Sequence, residues 1–112
     1  VTTLGKTHVA DALASTHSEA EMGWMAIGTG TGGTTALTTE LDRNALTSRT
    51  HTDAVVTYVG DWAAGDGTGA ITEAGIFNLA TIGGTMFVYS SFTVVNKLAA
   101  DALKITWSVT IS

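Results

Sequence analysis

The chain contains no cysteine, so neither a disulfide framework nor a thiolate metal site is available to it. Cysteine usage therefore says nothing about its redox compartment. It has no apolar run near the roughly 20 residues that a membrane-spanning helix requires. Its opening residues, Val1-Thr2-Thr3-Leu4-Gly5-Lys6, lack the basic segment leading into an apolar stretch that marks a signal peptide. No membrane partner is expected. Basic residues are scarce as well: five Lys and Arg stand against ten Asp and Glu, a formal net charge of −5. Nucleic-acid binding requires clustered Lys and Arg to displace counterions, so no nucleic-acid partner is expected either. Charge of both signs is low, at 13% of residues against about 25% in an average soluble domain.

What replaces charge is threonine, about a fifth of the chain, with serine and 13 glycines. A charge-poor surface suits a subunit whose faces are covered by neighbours. A monomer with a neutral, hydroxyl-rich coat is the alternative. At 112 residues the chain fits one domain, large enough to bury a core without staples. The expected organisation is one β-rich domain over 1–112, with an N-terminal helix and connector in 1–22 and a β-sandwich in 23–112.

Residues 4–14 read as a short helix, because Leu4, His8, Val9, Ala12 and Leu13 fall close to one face. Residues 15–21 form a polar connector without periodicity. Trp24 to Ile27 is a short apolar run between glycines, which suits a buried strand. Gly28 to Thr35 is a glycine–threonine loop, and Ala36 to Leu41 looks like one helical turn, with Leu37 and Leu41 spaced i, i+4. Strand character follows from Leu46, with a turn expected at Thr52-Asp53 and good strand residues over Ala54 to Trp62. Ala64 to Gly69 is a second flexible loop. Ile76 to Leu79, Thr85 to Tyr89 and Phe92 to Val95 read as strands, with Gly83-Gly84 supplying a tight turn. Leu103, Ile105, Trp107, Val109 and Ile111 alternate with polar or small residues, giving a strand with one buried face. Short strands with recurring turns predict a mainly β fold, an antiparallel β-sandwich or barrel with one short N-terminal helix.

The chemical motifs are incomplete. Gly28-Thr29-Gly30-Thr31-Gly32-Gly33 matches G-x-G-x-x-G and follows a strand, but no long helix opens behind it to face a pyrophosphate. A Walker loop would need Lys near 34, where Thr34 stands. Asp61 and Asp66 lack the alternating acids of a calcium loop, since Trp62 and Ala64 occupy the intervening places. His8, His17 and His51 share no ligand spacing. No Gly-x-Ser-x-Gly elbow is present. Glu40 and Glu73 could pair as acids for glycoside hydrolysis, but the aromatics fall mostly at inward strand positions. No catalytic residue, metal or cofactor is expected. Trp24 and Trp107 read as core. Trp62, at a strand end before a loop, reads equally as an interface anchor or as half-buried beneath that loop.

Three blocks together resemble a family of small virion proteins of tailed bacteriophages and prophages. They are Met25-Ala26-Ile27-Gly28-Thr29-Gly30-Thr31 with Ala36 to Arg43, then Ile71 to Asn78, and Gly83 to Phe92 with Asp101 to Trp107. The resemblance implies a non-enzymatic particle component, with a capsid decoration (cementing) role first and a tail, baseplate or fibre role second. It further implies the major capsid protein or other virion proteins as partners, a homo-oligomer (commonly a trimer), and a place on the virion, at the capsid surface or the tail. A carbohydrate-binding β-sandwich module is the rival of another class. Trp62, Leu4 and Val9 are the expected interface residues. Arg43 and Glu73, each within a resemblance block beside apolar residues, are expected to form a partly buried ion pair. Met86 to Phe92 and Ile105 to Ile111 are apolar and nearly uncharged, so both are expected to lie centrally or beneath a neighbouring subunit.

Overall fold

A computed structural model describes residues 1–14 and 20–111. The fold is mainly β: two antiparallel sheets stack as a sandwich, with one short helix at the N-terminal end. The helix is α1 (Thr3–Leu13), and the strands are β1 (Trp24–Gly28), β2 (Glu40–Ala45), β3 (Ser48–Thr52), β4 (Val55–Trp62), β5 (Gly69–Phe77), β6 (Met86–Lys97) and β7 (Leu103–Thr110). One sheet runs β2-β1-β5-β6 and the other β3-β4-β7.

The two sheets are joined on one side by the chain itself. Ala45 still pairs with Trp24 of β1, and two residues later the Thr47 amide donates to the Val59 carbonyl of β4. The strand thus changes sheets between Ala45 and Thr47. On the other side β6 and β7 end their respective sheets, and among the described residues no strand pairs with their outer edges.

Between the sheets lies the main core. Met25, Ile27, Ile71, Ala74, Ile76 and Val88 from the four-stranded sheet meet Tyr58, Trp62 and Val109 from the other, with Val56, Leu103, Ile105 and Trp107 packed partly against them. The half-buried alternation along β7 follows the period-two pattern of its sequence. The outward face of the four-stranded sheet is buried too. Ala26, Phe77 and Met86 form a second cluster there, covered by Leu37 from the 29–39 loop and flanked by Trp24 and Tyr89. Burial on both faces explains why β1 reads as an unbroken apolar run.

Helix α1 docks on β6 by close approach. Thr2 caps it, its hydroxyl oxygen accepting from the Gly5 amide at 2.8 Å while the same hydroxyl donates to the Met86 carbonyl. The Thr2 amide donates to the Phe87 carbonyl at 2.8 Å. Gly5 is the buried residue of the helix, and a Cβ there would lie 2.9 Å from the Phe87 Cα.

Three expectations are corrected. Ala36 to Leu41 is not a helical turn: Leu37 points into the outer cluster while Leu41 is exposed on β2, so their spacing does not reflect a shared face. The strand over 76–79 begins at Gly69 and ends at Phe77. The two fragments at 85–89 and 92–95 are one strand, β6, interrupted by a bulge. Ile71 pairs with Val95 and Glu73 with Ser91, so β6 takes four steps where β5 takes two. The turn at Thr52-Asp53 is present with Asp53 at φ 52°, and Gly83 and Gly84 have φ of 115° and 77°.

Candidate functional site

The first charged centre is Glu73. β5 carries it on the outward face of its sheet, directly opposite Gly28 of β1. A Cβ on Gly28 would sit 2.5 Å from a Glu73 carboxylate oxygen, so only glycine leaves room for the side chain to cross. The carboxylate is sealed from water. It accepts from the amides of Gly30 (3.1 Å), Thr38 (3.0 Å) and Thr39 (2.8 Å) and from the Tyr89 hydroxyl (2.7 Å). Burial alone raises this carboxyl. The bonds from Thr39, Tyr89, Thr38 and Gly30 outweigh burial and hold it below the ordinary value of 4.5. Burial, opposed by the Gly33 amide and reinforced by the Glu73 anion, raises the Tyr89 phenol. The glycine-rich segment that matches a phosphate-loop pattern thus directs one backbone amide, that of Gly30, at a carboxylate of its own chain.

Arg43 on β2 is the second centre. Its side chain is 4% exposed and that of Glu40 is 11% exposed. Nε and one terminal nitrogen bind both oxygens of Glu40, at 3.0 and 2.7 Å. The other nitrogen donates to the carbonyls of Leu79 (2.9 Å), Thr81 (2.6 Å) and Gly83 (3.1 Å). The guanidinium lies 3.8 Å over the Phe77 ring. The expected Arg43–Glu73 ion pair is therefore corrected: each residue is buried, but Arg43 pairs with Glu40 and Glu73 with backbone amides. The Glu40–Glu73 reading changes with it. Both acids flank Gly28 on adjoining strands, yet both are saturated by internal partners.

A third centre is Lys97 at the end of β6, 2% exposed. Its ammonium donates to the carbonyls of Ala63 (3.0 Å) and Asp101 (2.7 Å), fastening the loop after β4 to the turn before β7. That turn is held again by the Asp101 carboxylate, which accepts from the Leu98 amide at 3.0 Å.

The open side of the sandwich has a different chemistry. Phe92, Val94, Val95 and Leu98 are 36–66% exposed along and just beyond the outer half of β6. A groove of about 350 Å³ runs between β6 and β7, lined by Ile71, Phe92, Val95, Leu103, Ile105 and the Lys104 stem. From Met86 to Asn96, β6 carries no charged residue. Each of the other edges does: Glu40, Asp42 and Arg43 on β2, Arg49 on β3, Lys104 on β7. Of the two windows expected to lie centrally or beneath a neighbouring subunit, Met86 to Phe92 falls on β6 and Ile105 to Ile111 on and just beyond β7, both edge strands, so neither lies centrally. The Met86–Phe87 end of β6 is closed by Thr2, and the Ser90–Asn96 stretch is exposed.

Of the expected interface residues, Trp62 is corrected: it is fully enclosed by this chain, in the main core. Its indole nitrogen has no hydrogen-bond partner among the described residues. Val9 is half-buried against the main core and Leu4 is 40% exposed. Trp24 and Trp107, read as core, are half-buried at its margins. Asp61 accepts from the Thr47 hydroxyl at 2.5 Å. No group of three or more metal-ligating side chains occurs among the described residues, and His17 lies outside them.

The sequence marks Glu73 as a buried charge and Met86 to Phe92 as an uncharged run, but shows neither the cradle nor the sheet edge. The amides of the cradle leave no signature in side chains. The β6 edge was signalled by its uncharged run, but its position in the sheet was not. Comparison with protein-family models, with curated proteins and with solved structures found no match to any of them.

Proposed function

We propose that this chain is a structural subunit of a larger assembly, and specifically a capsid decoration protein of a tailed-phage particle. The observation that carries the assembly reading is the β6 edge: a stretch uncharged from Met86 to Asn96, with no strand paired to its outer side among the described residues and with Phe92, Val94 and Val95 exposed. Such an edge is a ready template for pairing, and isolated proteins blunt theirs with charge or cover. The bulge at 92–94 limits runaway pairing, but the apolar side chains remain on the surface. A partner that buries them supplies the cover that this chain lacks. The virion assignment is added by the resemblance of the three sequence blocks. The major capsid protein is then the partner, and the chain is one protomer of a homo-oligomer such as a trimer. The three polar centres support a passive mechanism. Glu73, Arg43 and Lys97 all tie loops to strands, stiffening the sandwich so that it can bridge capsomers without yielding.

The test is co-sedimentation of the purified chain with expanded, empty capsids. Saturable binding at hundreds of copies per capsid supports decoration. Binding of only a few copies points to a tail, baseplate or fibre fitting, and absence of binding at micromolar concentration counts against the whole reading. The carbohydrate-module reading loses its expected anchor, since the Trp62 ring is buried.

A further inference from the structure

We propose that residues 29–39 form an acid-released flap, latched over the outer face of the four-stranded sheet by the Glu73 carboxylate. The inference is independent of the assembly reading and concerns the chain alone.

The segment has the form of a compact loop with closed ends. Its neck is held by the Thr29 amide on the Thr39 carbonyl at 3.0 Å. Its interior is tied by the Thr38 hydroxyl on the Thr31 carbonyl at 2.6 Å. Internally tied in this way, it can move as one unit about its neck. Four things fasten it to the sheet: the insertion of Leu37 into the outer cluster, the Thr72 hydroxyl on the Gly30 carbonyl at 2.7 Å, the Tyr89 hydroxyl of β6 with Gly33 and Thr38, and the Glu73 carboxylate. Glu73 takes one amide from the start of the loop and two from its end. It is the fastening that titrates in acid.

Among the described residues, the surroundings offer Glu73 no cation to lean on. The loop has no titratable side chain in its 11 residues, Thr29 to Thr39, and neither does β1. β5 has none besides Glu73. From β6 it meets Tyr89, a donor, while the Lys97 ammonium is engaged with Ala63 and Asp101. From β2, Glu40 and Arg43 neutralise each other. The anion is therefore stabilised by neutral donors alone. Protonation would bring an O–H donor into a space already filled by three amides and a phenol, and at least one of those donors would lose its acceptor. The lowered carboxyl gives the sign. The latch is fully closed above the ordinary glutamate value of 4.5 and is lost as pH falls through the lower native value. Release would uncover Ala26, Phe77 and Met86, with Trp24 and Tyr89 at their margin.

The test is residue-resolved hydrogen exchange on the whole chain, expressed as protection factors, from pH 7 downward. Protection of the Gly30, Thr38 and Thr39 amides is expected to fall at least tenfold at a higher pH than protection of the β1 and β5 ladder. Tyr89→Phe removes one donor to the anion together with the hydroxyl's bonds to Gly33 and Thr38. Its readout is therefore the midpoint pH of the loop transition rather than the absolute protection, and that midpoint is expected to move to higher pH, with the ladder transition unmoved. Glu73→Gln, which cannot accept from every donor, is expected to show the open loop already at pH 7. Should that variant fail to fold, the Tyr89→Phe shift decides alone. Loss of loop and ladder protection in one step, or an unmoved loop transition in Tyr89→Phe, would overturn the proposal.

Discussion

At the residue scale the molecule relies on a few ionised groups that bind backbone rather than each other. Glu73 satisfies three amides at once, and hydrogen bonds to a charged acceptor contribute about 1.5–3 kcal/mol each to stability. Glu73→Ala removes that acceptor and with it the docking of the 29–39 loop, and is expected to destabilise the fold by about 3 kcal/mol, read by urea denaturation. Arg43 is the companion case. Arg43→Ala strands the Glu40 carboxylate and three carbonyls and is expected to cost about 3–5 kcal/mol. Arg43→Lys should recover less than half of that loss, since an ammonium cannot bridge both carboxylate oxygens and stack on Phe77. These two residues also show how far the sequence could be read. Their places within the resemblance blocks, with apolar residues nearby, marked both as partly buried charges. Their partners were hidden, because the Glu73 partners are main-chain amides, and the Arg43 partners are Glu40, three residues away on its own strand, and three carbonyls of the 79–83 segment.

At the element scale, β7 and the apolar run of β1 were legible, and the start of β5 and the continuity of β6 were not. β7 alternates apolar with polar or small residues and is found where its period places it. β5 begins Gly69-Ala70-Ile71-Thr72-Glu73, small and polar residues that belong in a sheet only because a loop covers the outer face. β6 appeared broken because its bulge interrupts the pairing at 92–94. The helix was legible in its bounds but not in its docking, which depends on the missing side chain of Gly5. Gly5→Val is therefore expected to undock α1 from β6 while leaving the sandwich folded. The amide of Thr2 and the helix amides should then lose protection from exchange, with the β1–β5 ladder unchanged. Retention of helix protection would show that the close approach at Phe87 is not required.

At the scale of the whole molecule the two sides of the sandwich are unequal. The β2–β3 side is closed by continuous chain and carries charge, and the β6–β7 side is open, grooved and uncharged along β6. Low charge in the sequence suggests a covered surface, and the proposal that the β6 edge is that surface rests on strand order. Val94 is 46% exposed, so Val94→Lys should change the stability of the isolated chain by no more than about 0.5 kcal/mol. In the assembly the same change would bury an unpaired charge, at about 2–5 kcal/mol, which weakens binding tenfold or more.

That pair of expectations gives the most direct measurement: the binding isotherm of the wild-type chain and of Val94→Lys on expanded, empty capsids, with the fold of both verified beforehand. The account predicts saturable binding of the wild type at hundreds of copies and at least a tenfold loss for the variant. Equal binding by both would remove the β6 edge from the interface. Absence of wild-type binding at micromolar concentration would contradict the decoration role itself.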